Sequence, residues 1–111
     1  MGQPVINPGS MGTFSYVLAG HERSEARSFA STCHGAGRAM SRTKAKKLMS
    51  GPDLRRKLEA DGVVLAAANW KLLSEEAPYA YKDATEVVET CERAGLSRVV
   101  ARLRPAGVLK G

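Results

Sequence analysis

Apolar residues recur along the chain with two periods, every second position in some stretches and every third or fourth in others, and these periods predict its elements. Residues 13–18 alternate, placing Phe14, Tyr16 and Leu18 on one face, and their β-branched and aromatic content predicts a strand that Gly20 ends. Before it, residues 4–12 are rich in Pro and Gly and predict a turn-rich start. After it, residues 21–29 are polar with weak helical spacing. A glycine cluster at His34-Gly35-Ala36-Gly37 then runs directly into Arg38, where helix formers take over, so a loop is expected to open a helix there.

Ser50-Gly51-Pro52-Asp53 predicts a turn, followed by a short basic helix over residues 54–60 that Gly62 stops. Residues 63–68 form an apolar run short enough for a buried strand. The clearest pattern covers residues 74–94. Ser74 is placed to cap a helix, Glu75 and Glu76 suit its positive end, and Pro78 falls in the first turns, where a missing N–H costs little. Ala77, Tyr81, Ala84, Val88 and Cys91 recur at helical spacing, and Gly95 stands just past the end. Residues 98–103 alternate again, predicting a half-buried strand with Val99, Ala101 and Leu103 inward, Arg98, Arg102 and Arg104 outward, and Pro105 closing it. Strands and helices mixed in this way predict an α+β fold.

The length, 111 residues, suits one domain with one core, although only 5% of the residues are aromatic. No apolar run approaches the roughly 18 residues of a membrane span, and the N-terminus has neither the basic start nor the apolar run of a secretory signal. A soluble, cytoplasmic protein is expected. In that setting Cys33 and Cys91 stay reduced. With His21 and His34 they are the only soft metal ligands, and none stands in a CxxC or HxxxH spacing, so no metal site is expected from this chain alone. The formal net charge of +6 is local: residues 38–57 hold eight basic side chains and one acid, Asp53, while the rest of the chain is close to neutral. Such a run is either a solvated helix face or a contact for a polyanion, whose phosphates attract it without regard to sequence.

Two glycine loops flank the first strand, Pro8-Gly9-Ser10-Met11-Gly12 and His34-Gly35-Ala36-Gly37-Arg38. They are either ordinary turns or phosphate cradles. Glycine lets several backbone N–H groups converge, and Ser10 and Ser15 add hydroxyl donors. Neither loop fits the GxxxxGK[ST] or GxGxxG fingerprint. His34 is either a capping or surface histidine, or a nucleophile toward phosphorus that forms a phosphoramidate. Cys33 beside it reads as a packed thiol.

At these residues a family becomes legible. Gly2-Gln3-Pro4-Val5-Ile6, then Pro8-Gly9-Ser10-Met11-Gly12-Thr13-Phe14-Ser15-Tyr16-Val17-Leu18, then Ser31-Thr32-Cys33-His34-Gly35-Ala36-Gly37-Arg38-Ala39-Met40-Ser41-Arg42 closely resemble the C-terminal part of the RtcB family of RNA ligases. The likeness continues through Glu75-Glu76-Ala77-Pro78, Tyr81-Lys82 and Leu103-Arg104-Pro105 to Lys110-Gly111, so residues 1–111 form a single C-terminal segment of such a ligase domain. The resemblance implies a partial RtcB-like fold with mixed strands and packed helices. It also implies an enzyme that joins RNA 3'-phosphate or 2',3'-cyclic phosphate ends to 5'-hydroxyl ends, as in tRNA splicing and RNA repair, using GTP and manganese. By motif, His34 corresponds to the histidine that is guanylylated. Pro8, Gly9, Ser10, Met11, Ser15, Ala36 and Gly37 correspond to the lining of the GMP site, Tyr81 to a tyrosine near the nucleotide, and Lys110 to the penultimate lysine that reaches it. The family's manganese ligands lie N-terminal to the matched segment and are absent here. The implied partners are therefore RNA ends, whether tRNA halves or broken RNA, and a missing N-terminal part that holds the metal. The alternative is a non-catalytic, basic RNA-binding fragment.

Overall fold

The computed structural model describes residues 2–110 and has the mixed helices and strands of an α+β fold. Gly111, the last residue of the terminal motif, lies outside the described residues. The chain divides into two units, each with its own buried cluster.

The first unit comprises the described residues up to Gly9, with Phe14–Ala36 and Asp83–Arg104. Its sheet joins β1 (Pro4–Asn7), β2 (Ser15–Gly20) and β4 (Ser97–Leu103), antiparallel, in the order β1-β2-β4. The expected strand is present and carries Tyr16 and Leu18 inward. The turn-rich start is a correction. Pro4 opens a true edge strand, because a proline at a strand's first residue withholds no ladder donor from the interior. Helix α4 (Ala84–Arg93) contributes Ala84 and Val88 to the cluster formed with Tyr16 and Leu18, and Val5, Phe14, Ala36 and Val99 pack against it. Leu18 and Val88 are fully buried, each worth about 1.5 to 3 kcal/mol relative to exposure. The Tyr16 and Thr85 hydroxyls are hydrogen-bonded at 2.6 Å.

The alternation expected along β4 is interrupted. Leu18 pairs with Val99 but Val17 pairs with Ala101, leaving Val100 as an extra residue. Such a bulge switches the faces beyond it. Val99 therefore points to the core, Ala101 lies on the opposite face with Ile6 and Val17, and the Arg102 guanidinium stacks over the Phe14 ring at 4.4 Å. Between β2 and β4 the chain also forms a short helix, α1 (Ser24–Ser28).

The second unit comprises Ser10–Thr13, Gly37–Lys82 and the described residues from Pro105. Helices α2 (Arg42–Leu48) and α3 (Gly51–Ala60) are each capped by a serine: Ser41 Oγ accepts from Lys44 N at 3.1 Å, and Ser50 Oγ from Asp53 N at 3.2 Å. Gly62 follows α3 at φ +86°, where a side chain would be strained. Met11, Leu54, Leu58, Val63, Leu73 and Ala77 form the core. Strand β3 (Val64–Ala67) pairs in parallel with β5 (Gly107–Lys110), a strand the sequence pattern did not predict. The expectation of a buried strand at 63–68 holds for one face only, since Val64 is 73% exposed and Leu109, on the same side, 84%.

The helix expected over 74–94 is three elements. Trp70–Glu76 and Pro78–Ala80 are 3-10 helices, and α4 begins only at Ala84. Pro78 forces Ala77 into extended backbone, φ −60° and ψ 151°, and Asp83 restarts the helix by accepting from Thr85 N at 2.9 Å. Among the described residues no helix is long and apolar enough to cross a membrane.

Candidate nucleotide site

The residues singled out by motif fall in both units. Pro8, Gly9, Ser15, His34 and Ala36 belong to the first, and Ser10, Met11, Gly37, Tyr81 and Lys110 to the second.

In the first unit, Ser15 opens β2 and its Oγ accepts the Gly9 N–H at 2.9 Å, which leaves the hydroxyl proton free to donate. His34 is exposed on a stretch without regular structure, residues 31–37. Two interactions hold that stretch. The Cys33 thiol donates to the Gly35 carbonyl at 2.7 Å, closing a tight turn around His34, and Ala36 packs against the cluster that contains Val88. The loop does not open a helix at Arg38 as expected. Ser41 is the cap and α2 starts at Arg42.

In the second unit, Ser10 and Thr13 make a small turn: Ser10 N donates to Thr13 Oγ1 at 2.8 Å and Thr13 N to the Ser10 carbonyl at 3.2 Å. A Cβ at Gly12 would lie 2.9 Å from Leu58 Cδ2 and 3.0 Å from Pro78 Cγ, so a side chain there would require both to shift. Met11 is a core side chain, so only its backbone is available to a ligand. Gly37 adopts φ +75°, and its carbonyl accepts from Lys82 N at 3.0 Å.

Tyr81 stands at the centre of a polar group. Its hydroxyl donates to the Glu76 carboxylate, and its backbone bridges to Arg38, whose guanidinium lies 4.9 Å from the ring centroid. Arg38 is further held by the Glu75 carbonyl at 2.6 Å and the Met40 carbonyl at 3.1 Å. Arg38 Nη1 and Arg42 Nε each lie 3.7 Å from a Glu76 carboxylate oxygen. The Tyr81 hydrogen bond, with the charges of Lys110, Arg38 and Arg42, holds the Glu76 carboxyl below its ordinary 4.5 despite partial burial. Burial, helped by Glu76, pushes the Tyr81 phenol above its ordinary 10.0. The charge of Lys110, on β5, thus acts on the same carboxylate that Tyr81 hydrogen-bonds. Neither Glu76 nor Arg38 stood out in sequence: Glu76 read as a helix-dipole acid and Arg38 as one of a basic run.

That run is largely neutralised in place. Arg42 pairs with Glu76, Lys46 with Glu75 at 3.2 Å, Arg55 with Glu59 at 2.8 Å, and Arg56 with Asp53. Arg55 also stacks on Trp70 at 4.3 Å. Among the described residues Lys44, Lys47 and Lys57 form no ion pair, and no three His, Cys, Asp or Glu side chains are grouped to hold a metal ion.

A family model described as tRNA-splicing ligase RtcB matches residues 1–111. A tRNA-splicing ligase RtcB of Archaeoglobus fulgidus is 52% identical over the whole chain, which covers 23% of that relative. Those of Methanopyrus kandleri and Pyrococcus furiosus are 52% and 50% identical over 98% and 100% of the chain, which covers 11% of each. The chain therefore spans between about a tenth and a quarter of the length of these relatives.

Proposed function

The chain belongs to the RtcB family of tRNA-splicing ligases, and from that premise we propose that it is the C-terminal part of a GTP-dependent RNA ligase acting through a covalent histidine–GMP intermediate. The reaction joins RNA 3'-phosphate or 2',3'-cyclic phosphate ends to 5'-hydroxyl ends. An imidazole nitrogen of His34 bonds to the α-phosphorus of GTP while the bond to pyrophosphate breaks; GMP then passes to the RNA 3'-phosphate, and attack by the 5'-hydroxyl releases it.

The observation that carries this reading is His34 itself. It is exposed on a loop whose neighbours are tied down on both sides, inside a motif matched along the full chain. An exposed imidazole with no hydrogen bond among the described residues suits attack on phosphorus. Each unit carries groups that suit a nucleotide: in the first Ser15 offers a hydroxyl, and in the second Ser10 offers a hydroxyl, Lys110 a cation and Tyr81 a ring face. Arg38 Nη1 is buried with no hydrogen-bond partner among the described residues and faces the Glu76 carboxylate at 3.7 Å. Manganese does not fit this chain, which groups no ligands for it among the described residues, so no step is assigned to it here. On this reading the metal belongs to the missing N-terminal part.

The test is to mix the chain with that N-terminal part, labelled GTP and manganese. An acid-labile GMP adduct should form on this chain, and His34→Ala should abolish it. An adduct that survives the substitution overturns the assignment.

A further inference from the structure

We propose that a cavity in the second unit binds a free α-amino acid with an apolar side chain, Lys57 taking its carboxylate and Asp61 its ammonium group. The cavity holds about 270 Å³, close to the lower end of the range for small-molecule sites, about 300 Å³. Its apolar lining comes from Leu54 and Leu58, both buried, from Pro78, and from Tyr79, whose hydroxyl donates to the Ala45 carbonyl at 3.0 Å and so fixes the ring. Gly12 also lines it and contributes no side chain to fill it. All these residues belong to the second unit. The charged lining is one cation and one anion, Lys57 and Asp61, both exposed. Asp61 N donates to the Lys57 carbonyl at 3.1 Å, so the two lie one helical turn apart, with Cβ atoms about 5 to 6 Å from each other. A lysine that precedes its acid by one turn pairs less well than the reverse order. Among the described residues neither side chain forms an ion pair.

One occupant has to answer an apolar lining, a cation and an anion together. A hydrocarbon group that enters the lining leaves water, and an aromatic one also meets the Tyr79 ring. A fatty acid or an alkylamine satisfies one charge and loses water beside the other. A residue inside a polypeptide carries neither charge, because both are consumed in peptide bonds. A free α-amino acid carries its side chain, carboxylate and ammonium group on one carbon, and the short separation of its two charges suits a lysine and an aspartate one turn apart. Because Lys57 and Asp61 are exposed, each pairing is modest, and specificity comes from requiring both.

The experiment is titration of the isotope-labelled chain with L-phenylalanine, read by its amide NMR shifts. It uses neither GTP nor RNA, so its outcome stands apart from the ligase reading. Hydrocinnamate, phenethylamine and N-acetylphenylalanine amide serve as analogues that lack the ammonium group, the carboxylate or both charges. Saturable shifts at Gly12, Leu58 and Tyr79 are expected with phenylalanine, and each singly charged analogue should bind about fivefold more weakly. Lys57→Met should weaken phenylalanine and hydrocinnamate and leave phenethylamine unchanged. Asp61→Asn should weaken phenylalanine and phenethylamine and leave hydrocinnamate unchanged. Both positions are exposed, so these variants should fold as the wild-type chain does, and the comparison of ligands needs neither of them. No saturable shift with phenylalanine overturns the proposal. Equal binding by N-acetylphenylalanine amide also overturns it, since that marks a slot for a peptide side chain.

Discussion

Asn7 is completely buried, and neither its Nδ2 nor its Oδ1 has a hydrogen-bond partner among the described residues. A buried amide left unsatisfied costs its full desolvation, about 1 to 3 kcal/mol, which an apolar side chain of similar size avoids. Asn7→Leu should therefore stabilise the chain by about that amount, read as a higher urea midpoint at unchanged slope. In sequence, Asn7 read as one turn residue among several. Its burial became visible only when β1 paired with β2 and set Asn7 opposite Tyr16. The reverse holds for His34, whose chemical capacity is a property of the residue and was legible before any fold. Met11 falls between the two: its motif was plain, but its side chain is committed to the core.

Elements were legible where local signals decide and illegible where distant partners do. Serine caps, Pro52 and Gly62 specify α3 within a dozen residues, and its limits were read to within a few positions. Strand β5 carries no such signal, because a four-residue strand in parallel pairing exists only through its partner β3. The 3-10 helix Trp70–Glu76 ends at the carboxylate that gathers Tyr81, Arg38 and Arg42, so its contribution to stability depends on pH. The Glu76 pKa is lowered in the folded state. Its stabilising contribution is therefore complete above the ordinary carboxyl value of 4.5 and disappears as pH falls through the lower, folded value. Glu76→Gln should flatten the acid limb of stability over that window, measured as urea midpoint against pH. An acid limb identical to that of the wild-type chain would remove Glu76 from this role.

For the whole molecule, the charge is smaller in effect than in count. Carboxylates from α3 and from Trp70–Glu76 occupy five of the eight basic side chains of residues 38–57, leaving Lys44, Lys47 and Lys57 unpaired among the described residues. If RNA meets this face, reversing those three charges should flatten the dependence of binding on salt, by about one unit in the log–log slope for each phosphate no longer neutralised. Reversing Arg55 and Arg56, already paired, should change it less. Titrations with a short RNA at several salt concentrations separate the two outcomes. Two apolar faces also stand open, Ile6 with Leu103 on the first unit's sheet and Val64 with Leu109 on the second's. Parallel sheets normally have both faces covered. On the proposed reading, these faces await the rest of a ligase core.

By itself the sequence determined the family, the α+β class, the extent of α3, the first strand and the residues able to do chemistry, because each depends on a motif or on neighbours within a few positions. Only the tertiary structure decided the division into two units, the bulge at Val100, and the meeting of Tyr81, Arg38 and Arg42 at Glu76. Those depend on which distant segments come to share a core or a hydrogen bond, and no local period records that.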